Sequence, residues 1–123
     1  MHYDHIIDRN RTLSDEHFHL ACGYCCTTSF LFEKAGVAVV IDCKGSFTFY
    51  SADGEKTETF NAKPMDGGRE HYEDVFITTT DAGIVFRLPD YSWTDHYPNC
   101  DGESDRWSCR IIGTRDEIRY PIQ

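Results

Sequence analysis

The longest apolar, strand-forming part of the chain is the stretch over residues 37–50. Residues 37–41 form an unbroken apolar run rich in Val and Ile, which is typical of a strand buried on both faces. Residues 46–50 alternate instead, so their two phenylalanines are predicted to share one face. Because Gly takes positive φ without steric cost, a turn at Lys44-Gly45 is expected to join the two strands into a central hairpin.

Further strand patterns flank this hairpin. Residues 25–33 are rich in Thr and Phe and lead through a tight link at 34–36 into the central run. A turn signal at 52–55 precedes residues 56–60, whose charged side chains are typical of an edge strand. These segments predict an antiparallel meander, and Ile6-Ile7 indicates a short strand before it.

Two more pairs of strands are predicted in the second half of the chain. In the first pair, Gly83 is expected to take positive φ in the connecting loop. In the second, the turn is expected at residues 113–115. Long loops are predicted over residues 61–74 and 90–106. The strands of this half are predicted at residues 75–80, 84–88, 107–112 and 116–120.

One short helix is predicted over residues 15–22. Ser14 is a favourable N-cap residue, and Asp15 and Glu16 would lie in the first turn, where the helix dipole favours negative charge. Gly23 offers a stop signal. The predicted fold class is therefore α+β, mostly antiparallel β, with about seven or eight strands in a curved sheet or half-barrel and the helix on one face. The whole chain, residues 1–123, is expected to form a single domain.

The net charge of the chain indicates which class of macromolecule it can bind. The formal net charge is -9 at pH 7, which argues against nucleic acid because phosphate binding needs concentrated Lys and Arg. A basic protein is the more natural partner. The negative charge is densest over residues 81–105, which contain six carboxylates and one arginine.

The cellular location is predicted from two sequence signals, a signal peptide and a membrane span. Its first residues contain no apolar stretch of signal-peptide length, and no segment approaches the roughly 18 apolar residues of a membrane span. A cytoplasmic protein is therefore expected, in which the 6 cysteines are reduced, buried or metal-binding rather than paired in disulfides.

The segment over residues 90–107 is the predicted partner-binding site. It interleaves aromatic rings with carboxylates, and Tyr and Trp are enriched at binding hot spots while carboxylates steer a basic partner. The alternative is that the rings cover the end of the sheet and the acids keep a loop soluble. The candidate residues are Tyr91, Trp93, Asp95, Tyr97, Asp101, Glu103, Asp105 and Trp107.

A zinc site is the strongest alternative chemistry. Cys22 and Cys25 have the spacing of a zinc knuckle, and His17 and His19 precede them, but no second close pair of ligands follows. The plainer interpretation is that the cysteines pack and the histidines lie at the surface. No catalytic signature such as Gly-x-Ser-x-Gly or His-Glu-x-x-His is present, so no catalytic residue is assigned and an enzyme is not expected.

The function predicted from these observations is an acidic protein-binding module. Within that class the preferred hypothesis is a bacterial immunity-type protein that neutralises a basic toxin enzyme, a nuclease, by covering its active-site cleft. Two alternatives stay open. One is a zinc-containing structural or hydrolytic domain centred on Cys22 and Cys25. The other is a β-barrel with a small-ligand pocket lined by Phe30, Phe47 and Phe49.

Overall fold

The structure is a computed structural model that describes residues 2–20, 27–42, 45–62, 74–93 and 109–122; of residues 91–93 and 109–110 only the backbone is described. This part of the chain is all-β. Its strands are β1 (His5–Ile7), β2 (Glu16–His19), β3 (Thr27–Phe32), β4 (Val37–Asp42), β5 (Ser46–Ser51), β6 (Lys56–Asn61), β7 (Asp74–Thr80), β8 (Gly83–Trp93) and β9 (Cys109–Pro121).

The first sheet has five strands in the order β1-β3-β4-β5-β6. The predicted antiparallel meander is confirmed over β3 to β6, and β1 adds to it in parallel with β3. Gly36, Gly45 and Gly54 all have positive φ, as the turns between these strands require. The polar strand β6 lies at the edge of the sheet, where its charged side chains were expected.

The second sheet has four strands in the order β2-β7-β8-β9, all antiparallel. Its core-facing side chains meet those of the first sheet. Phe86 of β8 packs edge-to-face against Phe47 and Phe49 of β5, with ring centroids 5.4 and 5.7 Å apart. The prediction of one curved sheet or half-barrel was therefore wrong: the described strands form two sheets around a shared core, and these sheets do not close into a barrel.

The predicted helix over residues 15–22 was also wrong, because its described residues 16–19 form strand β2. Asp15 has a φ of 56°, which a right-handed helix does not allow. Its backbone N–H donates to Thr78 Oγ1 at 3.0 Å, and its carboxylate pairs with Arg87 of β8. Asp15, which resembled the first turn of a helix, instead ties the start of β2 to β7 and β8, while the Glu16 carboxylate pairs with Arg11.

The β8–β9 hairpin is longer than predicted. Residues 113–115 form no turn, because β9 runs without a break through them. Strand β8 likewise continues past Pro89, where a break was expected, to Trp93. The pairing register of β8 and β9 shifts between Leu88 and Pro89. Proline has no N–H to donate to a ladder, and a bulge is one of the places where a strand tolerates it. No helix in the described part of the chain is long and apolar enough to cross a membrane.

Candidate functional site

The outer half of the β8–β9 hairpin, residues 89–93 and 109–114, is called the arm below. The pairing register between β8 and β9 shifts twice here, once at the start of the arm and once within it. Leu88 pairs with Asp116 but Pro89 pairs with Thr114, and Asp90 pairs with Gly113 but Tyr91 pairs with Ile111. Each shift leaves one extra residue on β9, first Arg115 and then Ile112, so both irregularities are β-bulges. Bulges increase local twist, and the one at Arg115 separates the arm from the buried part of the hairpin.

The arm exposes apolar side chains. Ile111 is 42% exposed and Ile112 is 57% exposed, and Gly113 and Thr114 beside them are exposed as well. A Cβ atom placed on Gly113 would meet nothing within 4 Å. Among the residues whose side chains the structure describes, three large hydrophobic ones are exposed: these two isoleucines and Ile6. Contiguous exposed apolar residues mark interaction sites on soluble proteins, so this isoleucine pair is a candidate contact surface.

The structure places part of the predicted partner-binding site on this arm. Tyr91 and Trp93 lie in β8, where Tyr91 pairs with Ile111 and Trp93 with Cys109. The backbone register thus brings two predicted aromatic residues beside an isoleucine pair that the sequence interpretation missed. The Ile111-Ile112 doublet is present in the sequence, but its pattern does not distinguish it from that of an ordinary half-buried strand. The remaining candidates lie outside the described residues: Asp95, Tyr97, Asp101, Glu103, Asp105 and Trp107.

The histidines of the predicted zinc site lie on β2 and face a carboxylate. His17 Nε2 and His19 Nδ1 are 2.7 and 3.4 Å from the same Asp74 Oδ1, on the neighbouring strand β7. The His17 ring also stacks on Phe76, with centroids 4.9 Å apart. Within the described ranges, no group of three or more His, Cys, Asp or Glu side chains is placed to hold a metal ion. Cys22 and Cys25 lie outside those ranges, so the zinc site stays a prediction.

The three phenylalanines proposed to line a ligand pocket lie in the hydrophobic core of the described part of the chain. Phe30, Phe47 and Phe49 are fully buried and form the centre of the core. A cavity of about 460 Å³ exists elsewhere, at the end of the two sheets where β1, β3 and β7 finish. It is therefore separate from the arm, which starts at the opposite end of β8.

Comparison with known proteins adds no assignment: no family model, curated protein or solved structure matches the chain.

Proposed function

We propose that the chain is an acidic protein-binding module that binds a basic protein through the arm and the adjoining segment 94–108. The observation that carries this proposal is the exposed Ile111-Ile112 pair beside β8 residues Tyr91 and Trp93. Covering an isoleucine side chain contributes about 1.5–3 kcal/mol, which is enough for a small apolar anchor at the centre of an interface.

The charge of the surrounding chain supports a basic partner. Asp90 lies in the arm, and the sequence between its strands adds Asp95, Asp101, Glu103 and Asp105. With a net charge of -9, the protein attracts a positive surface over long range and repels nucleic acid. The apolar pair would then hold the partner at short range, while the carboxylates raise the rate of association.

Within this class we propose a cytoplasmic, immunity-type inhibitor of a bacterial toxin nuclease. A nuclease presents a positive cleft to the phosphates of its substrate, and carboxylates can occupy the same cleft. In this proposal the chain binds and covers the toxin active site and does no chemistry itself.

The first step of the test is to read whether the gene beside this one encodes a toxin-like domain; such a domain is then produced together with this chain and used as the probe. Ile111→Ser with Ile112→Ser should raise the dissociation rate. A second variant, with Asp101→Asn, Glu103→Gln and Asp105→Asn, should slow association and flatten its dependence on salt. Nuclease assays and stopped-flow binding measure both effects.

Two control variants are available on other strands. Ile6 is 56% exposed on β1, so Ile6→Ser removes an equally exposed isoleucine outside the arm. Glu55→Gln with Glu58→Gln removes carboxylates near β6. Both controls should bind as the unmodified chain does. Binding that is lost equally in controls and arm variants, or in neither, contradicts the proposal, as does failure of the unmodified chain to inhibit the domain.

A further inference from the structure

The cavity at the end of the two sheets has an apolar floor. Ile7 and Phe32, the last residues of β1 and β3, are almost completely buried and belong to the hydrophobic core. Ala35 and Ile122 are partly buried and pack against the same core. At about 460 Å³, the space falls in the range of small-molecule pockets. The accessible apolar surface of this floor is contributed by Ala35 and Ile122, on which an apolar chain or ring can lie.

Polar side chains surround this floor. Thr79 and Thr80 are already engaged: Thr79 Oγ1 accepts from Leu13 N at 2.8 Å, and Thr80 Oγ1 accepts from Ala82 N at 3.2 Å. Thr12 completes the neutral part of the lining. The charged side chains of the lining are Asp8, Arg11, Glu33, Lys34 and Asp81.

The two cations of the lining are already paired. Arg11 donates to Glu16, and Lys34 Nζ lies 3.4 Å from Asp81 Oδ1. Among the described residues, neither Asp8 nor Glu33 has an ion pair, but Asp8 Oδ1 already accepts a hydrogen bond from Asn10 N at 2.8 Å. The lining thus contains three carboxylates against two cations, in a protein whose net charge is -9. Both the local and the overall field favour a positive ligand over a negative one.

We propose that this cavity binds a small amphipathic amine. Its apolar part lies on Ala35 and Ile122, and its protonated amine lies at the rim beside Glu33. Burial of the apolar part supplies the affinity, and the carboxylate selects the sign of the head group. This site does not depend on the partner-binding function, because the cavity and the arm lie at opposite ends of β8.

The experiment is a titration followed by backbone amide NMR, with octylammonium as the probe. Octanoate and methylammonium serve as matched probes, since the first reverses the head-group charge and the second removes the apolar chain. Saturable shifts are expected with octylammonium, at the amides of Ile7, Glu33, Thr79 and Ile122. Octanoate binding as tightly as octylammonium would overturn the assignment of an amine, and shifts spread over the whole protein would overturn the site.

Two substitutions test the floor and the rim separately. Ala35→Phe fills the cavity and should abolish binding, with Ile122→Phe as a second filling variant if the first fails to fold. Glu33→Gln should weaken octylammonium binding about two- to fivefold, as expected for one solvent-exposed ion pair. Glu55→Gln, in the distant β5–β6 turn, is the matched control and should leave binding unchanged. Unchanged binding in both filled variants, or equal losses in Glu33→Gln and Glu55→Gln, contradicts the proposal.

Discussion

The two halves of the β8–β9 hairpin have the same backbone pairing but opposite surroundings. In the inner half, Ile84, Phe86 and Leu88 of β8 are buried, and Ile118 of β9 joins them in the core. In the arm, Ile111 and Ile112 lie exposed. One bulge of β9, at Arg115, falls at the boundary between these halves, and the other, at Ile112, lies within the arm.

This comparison separates backbone pairing from burial. Hydrogen bonds of the ladder run along both halves, and in the inner half Phe86 packs against phenylalanines of the first sheet, whereas Ile111 and Ile112 of the arm are exposed. Net hydrogen bonding contributes about 1 kcal/mol per bond, whereas a buried large side chain contributes about 1.5–3 kcal/mol. The inner half should therefore hold the fold together, while the arm is free to carry a binding surface.

The largest expected effect comes from truncating the centre of the inner half. Phe86 is fully buried and contacts three phenylalanine rings of the other sheet, so Phe86→Ala should lower the free energy of unfolding by about 3–5 kcal/mol. Ile112→Ala removes a large exposed side chain from the arm and should change it by no more than about 0.5 kcal/mol. Urea unfolding measures both. Similar losses in the two variants would show that the arm is packed against the fold.

Two glycines of the hairpin provide the next comparison. A Cβ atom on Gly83 would lie 2.5 Å from the backbone oxygen of Tyr120, whereas one on Gly113 would meet nothing within 4 Å. Gly83→Ala must push β8 and β9 apart and should cost about 1–3 kcal/mol. Gly113→Ala should be close to neutral. Thermal unfolding of the two variants checks this, and equal stability would refute the close approach at Gly83.

The same glycine shows what the sequence could and could not predict. A glycine between two strand patterns correctly indicated a hairpin over β7 and β8, but the reason given was wrong. Gly83 is not among the glycines with positive φ; it is needed because the backbone of β9 passes beside it. Contact between strands that are distant in the chain leaves no local signal. The meander over β3 to β6 was predictable because its turns and its alternation are local.

The errors over residues 15–22 and 113–115 have the same origin. Ser14, Asp15 and Glu16 fit a helix start, yet the alternation of Phe18 and Leu20 with two histidines was equally consistent with a strand. Pairing with β7 decided between the two. At Gly113 a turn-forming residue lies instead beside a bulge, so β9 continues. The candidate site was predictable as an aromatic and acidic segment, but its isoleucine pair was not, because exposure depends on what the other sheet covers.

A smaller effect is expected where β9 contacts the first sheet. The Tyr120 ring stacks on Phe49 at a centroid distance of 4.2 Å, and its hydroxyl lies 3.2 Å from Thr57 Oγ1. Tyr120→Phe keeps the ring and removes the hydrogen bond, which should cost about 0.5–1 kcal/mol. Thr57→Val removes this bond and also the one that Thr57 Oγ1 donates to the Phe49 carbonyl at 3.2 Å, so it should cost more, and the double variant should cost no more than Thr57→Val alone. Additive losses in denaturant unfolding would mean that the two hydroxyls do not bond each other.

The smallest change in the free energy of unfolding should come from an exposed polar contact outside the hairpin, between Asp4 and Ser29. It tests how little a contact without burial contributes to stability. Asp4 accepts hydrogen bonds from Ser29 N at 2.8 Å and from Ser29 Oγ at 3.1 Å, and the backbone bond is the main reason that the pKa of Asp4 lies below 3.8. A lowered pKa stabilises the fold above pH 3.8, and this contribution is lost as the pH falls through the folded-state value. Asp4→Asn should therefore cost less than about 1 kcal/mol at pH 7, and the difference from the unmodified chain should shrink in acid. Urea unfolding from pH 7 to pH 3 measures it, with Glu55→Gln as the control for losing one negative charge. A difference that grows as the pH falls would show that Ser29 does not favour the charged form of Asp4.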